Sequence, residues 1–446
     1  MSEKLSVRTK LGFGVADLGG NLFFTAISFW ALNYLTDTVG LAAGLAGLAL
    51  AVGRLWDAFA DPMIGLLSDR TKTRWGRRRP YMLLGAIPVG VILALFFSAP
   101  KTTVPLVLFW WAILLFALLS TAFSLVNIPY GALTPEMTTD YHERTSLNGY
   151  RFGFAILGTI CGAALVQPIL HFFPHNHEAG FRLVGLIFGG IVAVSTLITG
   201  LSVRERAVPA VVEGEPLWRS WLGVWKNRPY RLLLGAYTVH ILGITFLSGS
   251  MVYLFKYVLH DEAGTTIGML SLMLVAAVSI PFSVLFAKRW GKVRAYQLAM
   301  LFLMVAATLV WLFGKSCGAG FVEGVMALAG IGLGFSYAPP YALLPDAIEV
   351  MARQTGRREE GAHYGLWNFS LKLAQMSAVG LSGLVLAWSG YVADHSQIGS
   401  ALAAIQTLAG PVPAFLFLGA GLLLFRYPLD EATYDQALQA EEGQAH

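Results

Sequence analysis

Arg54, Asp57 and Asp61 stand inside one long apolar segment, residues 42–67. On a helix the i, i+3, i+7 spacing places all three side chains on one face. Two carboxylates one turn apart repel, so a single proton or cation held between them is favourable. Their oxygens suit a hard cation. The alternative reading is that the two acids only balance Arg54 and a neighbouring basic helix. Charges at the depth of an apolar span are costly and face a partner or a water-filled cavity. Three more sit in other apolar segments: Asp17, Arg151 and Lys372. The set of three acids and three bases can neutralise itself, as a polar pathway through a membrane would require.

The elements that must hold these charges are membrane helices. The chain has 446 residues, 56% hydrophobic and 13% charged, and its mean hydropathy is +0.62. That balance excludes a soluble protein. Apolar runs predict roughly twelve spans, starting near Leu11, Leu41, Tyr81, Pro105, Ser146, Phe181, Tyr230, Ala263, Ala295, Gly320, Ala362 and Gly399. The runs are too long for membrane β-strands. Of the 31 Lys and Arg, 24 fall on the side that holds both termini and 4 on the other. This places both termini in the cytoplasm. The net charge of +5 is thereby explained by topology and does not point to nucleic acid. No cleavable signal peptide is visible at the start. Cys161 and Cys317 are too few for a disulfide framework. The His residues, with His171, His175 and His177 at an outer loop, show no metal-ligand spacing.

The chain also repeats itself. Arg74-Trp75-Gly76-Arg77 recurs as Arg289-Trp290-Gly291-Lys292, and Pro129-Tyr130 recurs as Pro340-Tyr341. The intramembrane cations Arg151 and Lys372 follow in each copy. The offsets are 215, 211 and 221, so matching elements come in the same order. The expected fold class is an all-α membrane protein with twelve transmembrane helices in two pseudo-symmetric six-helix halves, the major facilitator architecture. The halves are expected at 1–203 and 230–427, with a cytoplasmic linker at 204–229 and an acidic, polar tail at 428–446.

Other residues fit around the charges. Arg151 offers a planar bidentate fork and Lys372 a mobile point charge; either binds substrate oxygens or pairs with the acids. Asn127-Ile128-Pro129-Tyr130 is expected to break the fourth span beside a polar stripe of Ser120, Ser124 and Asn127. Asn368, Lys372 and Gln375 form a second stripe, and Trp56, Tyr337 and Trp367 are rings able to stack on a sugar. Asp69, Arg70, Arg74 and Arg77, at the inner end of the second span, are expected to lock helix ends in a state closed to the cytoplasm.

These residues resemble the glycoside–pentoside–hexuronide:cation symporters, a family that includes the melibiose permease. The most specific pieces are Asp57-x3-Asp61-Pro62 running into Asp69-Arg70-Thr71, the Asn-Ile-Pro-Tyr of the fourth span, and the placement of Arg151 and Lys372. The resemblance implies that Asp17 and Arg151 bind sugar, that Asp57 and Asp61 bind the coupling cation, and that Lys372 sits between the two sites. Two departures stand out. Asn127 replaces an aspartate that contacts sugar in the permease, which leaves the cations less compensated and favours an anionic substrate such as a hexuronide. Ala60 replaces an asparagine that contributes to sodium selectivity, which favours H+ over Na+, with Ser124 as the remaining hydroxyl ligand.

The expectation is therefore a cation-coupled symporter for a sugar, glycoside or sugar acid, in a bacterial-type inner membrane. It would use no cofactor beyond H+ or Na+, contact membrane lipid, and work as a monomer. Its substrate residues would be Asp17, Asn127, Arg151, Tyr337, Trp367, Asn368 and Lys372. Its cation ligands would be Asp57, Asp61 and Ser124, with Arg54 in the charge network. The rival readings are a transporter of lysophospholipid or another amphipathic solute, an intramembrane enzyme and a non-transporting sensor. The enzyme lacks a nucleophile–base pair or metal cluster in the sequence, and an uptake assay separates the sensor.

Overall fold

The computed structural model of the chain describes residues 5–71, 73–137, 141–203, 225, 227–355 and 360–429. Most of the expected linker at 204–229 and the tail from 430 onward lie outside the described residues. Among the described residues the chain is helical throughout. In the first half of the sequence come α1 (Val7–Asn33), α2 (Ala43–Arg70), α3 (Arg79–Phe96), α4 (Pro105–Met137), α5 (Tyr141–Ala164), α6 (Val166–His171) and α7 (His177–Ser202). Then follow α8 (Arg228–Tyr253), α9 (Glu262–Trp290), α10 (Lys292–Cys317), α11 (Ala319–Tyr337), α12 (Pro339–Thr355), α13 (Glu360–Trp388), α14 (Gly399–Ala409) and α15 (Pro411–Phe425).

These helices make 12 stretches long and apolar enough to cross a membrane. The pairs α5–α6, α11–α12 and α14–α15 each serve as one span. The starts match the sequence expectation to within four residues, the largest offsets being Val7 against Leu11 and His177 against Phe181. Capping accounts for the two largest offsets and for those at Arg228 and Glu262. Ser6 accepts a hydrogen bond from the Thr9 amide, Asn176 from Ala179, Asn227 from Tyr230 and Asp261 from Gly264. Each polar cap satisfies a first-turn amide and starts the helix before its apolar run begins.

The spans are apolar on both faces. α3 buries Met82, Ala86, Val89, Leu93 and Phe96, yet turns Leu84, Ile87, Val91 and Leu95 outward. A helix apolar all round at this length belongs in lipid. Small residues let the helices meet. A Cβ at Gly158 would fall 2.1 Å from the Leu18 carbonyl oxygen, and one at Gly162 would fall 2.5 Å from that of Leu22. Only glycine permits α5 to lie this close to α1, which is how small-residue ladders join membrane helices. Gly330 and Gly334 do the same for α11 against α9.

The chain divides into two compact units. The first comprises Met1–Val212 and Val379–Ala401, the second Glu213–Ala378 and Leu402–His446. The internal repeat extends beyond the sequence motifs. α1 ends in a π turn, Tyr34–Thr38, and α8 ends in another, Leu254–Val258, at an offset of 220. In both Arg-Trp-Gly turns the glycine has positive φ, 101° at Gly76 and 97° at Gly291, where a side chain would be strained. The expected break in α4 is absent: the helix runs unbroken through Pro129 to Met137. The break occurs instead in the second copy, at Ala338 between α11 and α12. A single proline removes one hydrogen bond, whereas Pro339 and Pro340 remove two in succession.

Candidate substrate and cation sites

The first unit holds two polar sites joined by α4. In one, α2 supplies Asp57 and Asp61 and α4 supplies Ser124. The Ser124 hydroxyl reaches Asp57 Oδ1 at 3.2 Å and also Asp61 Oδ1, at closer range. Ser124 is 2% exposed and Asp57 7% exposed. A hydroxyl has one hydrogen to donate, so it satisfies one carboxylate at a time. The acids are thus brought to a common oxygen, and neutralising one of them relieves the repulsion. α2 comes this near to α4 because residue 53 is glycine; a Cβ there would lie 2.1 Å from the Phe116 ring. The Trp56 indole fastens the same pair by donating to Thr121 Oγ1 at 2.9 Å. Trp56 is half exposed and turned to α4.

Arg54 shares the helix face of the two acids, but its guanidinium takes another course. It lies over the rings of Phe24 and Phe116, 5.8 and 5.5 Å from their centroids. Cation–π contact offsets part of the cost of burying the charge. Among the described residues Arg54 forms no ion pair with Asp57 or Asp61. The helix face was legible in the spacing; the direction of the long side chain was not.

The second site brings α1, α4 and α5 together. Arg151 Nε donates to Asp17 Oδ2 at 2.7 Å and its terminal nitrogen to Asp17 Oδ1 at 3.3 Å, a bidentate pair. Tyr130 completes it. Its hydroxyl approaches Asp17 Oδ2 at 2.5 Å and the Phe13 carbonyl oxygen at 3.1 Å, and accepts from Arg151 Nε at 3.1 Å. The guanidinium also lies over the Tyr130 ring, 4.7 Å from its centroid, and over Phe13 at 5.6 Å. The side chains of Arg151 and Asp17 remain 25% and 15% exposed, so the pair is sheltered but accessible. Beside it is a cavity of about 180 Å³ lined in part by Asp17, Asn21, Phe24, Asn127, Tyr130 and Thr196. At about 30 Å³ per water it has room for several waters or part of a small polar ligand.

Sequence reasoning named Asp17, Asn127 and Arg151 and missed Tyr130, Asn21 and Thr196 as members of this site. Tyr130 and Asn21 carried a signal: they stand i+3 from Asn127 and i+4 from Asp17, on the same helix faces. Thr196 carried none.

At the end of α2 the side chains of Asp69 and Arg70 lie outside the described residues. Arg74 is exposed and rests on Trp75, 5.3 Å from the ring centroid; Arg77 is half-buried. Their neighbours Arg78 and Arg79 also tie helix ends. Arg78 is buried and donates to Ser68 Oγ at 2.7 Å on α2, and Arg79 Nε donates to the Gly200 carbonyl at 2.9 Å on α7. In the second copy Lys292 pairs with Asp346 at 2.6 Å, joining α10 to α12.

In the second unit, Trp367 of α13 is 1% exposed and stacks on Tyr237 of α8, with centroids 4.0 Å apart and rings 19° from parallel. One ring face is therefore covered by Tyr237, not open for a sugar. Tyr337 and Asn368 are exposed, Lys372 is half-buried and Gln375 is buried. Tyr341, absent from the expected set, closes the aromatic group: its hydroxyl lies 3.1 Å from that of Tyr237.

Comparison with known proteins agrees with this architecture. Residues 12–431 match the family described as MFS/sugar transport protein. The chain is 28% identical to an isoprimeverose transporter of Lactiplantibacillus pentosus, over 98% of this chain and 91% of the relative. It is 30% identical to a glucuronide carrier protein homolog of Escherichia coli strain K12, over 98% and 95%. A solved structure of a proton-dependent oligopeptide transporter superposes with a TM-score of 0.68, covering 98% of this chain and 100% of that one; at 11% identity it shares the fold alone.

Proposed function

The chain belongs to the MFS/sugar transport protein family, and from that premise we propose that it is a cation-coupled symporter moving a sugar, glycoside or sugar acid by alternating access. Its work is transport through an integral membrane fold, not catalysis. The observation that carries the coupling is the buried Ser124 hydroxyl shared by Asp57 and Asp61, on the helix that also carries Asn127 and Tyr130. Ser124 and Tyr130 are six residues apart, about 9 Å along a helix. A change in charge at one site is thus felt through one rigid element at the other.

H+ is the favoured coupling ion. The pair of acids needs only one proton to relieve its repulsion. Ala60 contributes no side-chain oxygen toward the larger coordination shell that Na+ requires. Asp17 and Arg151 form the polar end of the substrate site: Arg151 donates to sugar hydroxyls and Asp17 accepts from them. A uronate carboxylate competes with Asp17 for the Arg151 fork, and Asn127, being neutral, does not repel it. The names of the two relatives, one for isoprimeverose and one for a glucuronide, fit a sugar or sugar-acid substrate. Tyr337, Trp367, Asn368 and Lys372 are assigned to substrate from the second unit. Arg54, held on its two rings, keeps a positive charge one helical turn from Asp57. The strongly basic side, with both termini, faces the cytoplasm, where Asp69, Arg70, Arg74 and Arg77 act in gating. Occupancy of both sites lowers the barrier between states, and a cation alone does not.

The test is substrate-induced alkalinisation outside vesicles, screening glycosides, hexuronates and lysolipids with and without Na+. The expected result is a sugar-triggered pH rise that survives removal of Na+ and vanishes in Asp61→Asn. A response to lysolipid and none to sugars would overturn the proposal.

A further inference from the structure

The repeat places Tyr341 in the second copy where Tyr130 stands in the first, each directly after a proline. Tyr130 is 3% exposed and spends its hydroxyl on the Asp17–Arg151 pair. Tyr341 is 54% exposed, and its surroundings are aromatic. Its hydroxyl meets Tyr237 Oη at 3.1 Å. Its ring stands edge-on to Tyr237 and Trp367, with centroids 6.2 and 6.3 Å away and interplanar angles of 74° and 60°. The stacked Tyr237–Trp367 pair behind it is buried. Three contacts therefore fix the Tyr341 ring while half its surface stays open.

Trp367 Nε1 is buried beside the Tyr237 hydroxyl. One residue on, the Asn368 side chain is exposed, and Lys372 follows one turn later on α13. The break at Ala338 starts α12 at Pro339, which puts Tyr341 in the first turn of that helix. A fixed, half-open aromatic ring, on a helix next in sequence to one that carries an exposed amide, has the composition that a pyranose calls for. The apolar C–H face of a sugar packs on a ring, and its hydroxyls need convergent polar groups.

We propose that Tyr341, braced by Tyr237 and Trp367, is a specificity-determining contact of the second unit, its open ring face taking the C–H face of a pyranose. This rests on the reading of the protein as a sugar symporter. Tyr237 and Trp367 are positioning residues. The contact discriminates by ring shape, and the Asp17–Arg151 pair discriminates by charge.

The experiment is calorimetric titration of the purified full-length protein with methyl glucuronide, methyl xyloside and methyl glucoside, together with titration of the coupling cation. Aromatic contacts of this type contribute about 0.5–1.5 kcal/mol, so Tyr341→Leu is expected to weaken the bound glycoside about 3- to 10-fold. Tyr341→Phe and Tyr341→Trp keep a ring and stay within about 2-fold, and cation affinity is unchanged in all three. Thermal melting identifies any variant that fails to fold; the Phe and Trp variants then still decide the matter. Wild-type affinity in Tyr341→Leu overturns the proposal. So does a loss in Tyr341→Phe or Tyr341→Trp as large as that expected of Leu, since a ring would then not be what binds. If the wild type binds none of the three glycosides, the sugar reading itself fails and this inference falls with it, a result distinct from a wild type that binds and a Leu variant that binds equally well.

Discussion

Tyr130 and Tyr341 occupy matching places in two copies of one motif, yet their surroundings share almost no chemistry. Around Tyr130 the hydroxyl partners are a carboxylate, a guanidinium and the Phe13 carbonyl, with the Phe13 ring 4.7 Å away. Around Tyr341 the neighbours are a phenol and an indole, met edge-on. The helices α1 and α8 that face these tyrosines also correspond, down to the polar caps Ser6 and Asn227 and the terminal π turns. Duplication has therefore kept the backbone geometry and let the side chains diverge, one corner toward charge and the other toward apolar surface. Between the two tyrosine-bearing spans the backbone differs at the prolines, where the doubled Pro339-Pro340 breaks a span that the single Pro129 leaves intact.

The comparison can be broken most severely at Arg151. Replacing it with Ala leaves the Asp17 carboxylate without its main counter-charge. Losses of about 2–5 kcal/mol follow from truncating one member of a buried charge pair. The lower end applies here because the pair is partly exposed, so substrate binding should weaken at least ~30-fold. Arg151→Lys should recover only part of this, since a point charge cannot reproduce the fork. Equilibrium binding of labelled substrate measures both. The next largest effect is expected of Tyr130→Phe, which removes a hydroxyl hydrogen-bonded to two charged groups. At about 1.5–3 kcal/mol for such bonds the loss is roughly 10-fold or more. Tyr341→Phe removes only a neutral hydroxyl–hydroxyl contact at 3.1 Å, and should change binding by less than about 2-fold. Equal losses in the two Phe variants would mean that the corners differ less in function than in composition. The smallest effect is expected on stability: Gly153→Ala, where a new Cβ meets nothing within 4 Å, should leave the melting temperature within about 1 °C. Gly158→Ala, facing the Leu18 carbonyl, should lower it by several degrees.

Much of this was legible in the sequence, and the remainder failed for definite reasons. The twelve spans could be read because lipid demands long apolar runs, and the missing turns at their starts were those that polar caps add. The i, i+4 spacing of Asp57 and Asp61 was enough to put them side by side, because one helix fixes both positions. Tyr130 was harder. Its role depends on how α1, α4 and α5 are rotated against one another, which the small residues of the interface decide and no single helix reveals. Trp367 was expected to stack on a ligand. Its type and place gave no sign that Tyr237, 130 residues earlier, already covers one of its faces. Arg54 likewise shares a face with two acids and still lies on two phenyl rings instead. Long side chains choose partners after the helices have packed.

The most direct test of the account is a paired transport measurement in vesicles, with Asp61→Asn and Asp17→Asn each assayed for gradient-driven accumulation and for substrate exchange at equilibrium. The account predicts that Asp61→Asn abolishes accumulation but retains exchange, because the substrate site is intact and only the coupling is lost, and that Asp17→Asn loses both. Wild-type accumulation in Asp61→Asn would contradict the assignment of the Asp57–Ser124–Asp61 cluster as the coupling site.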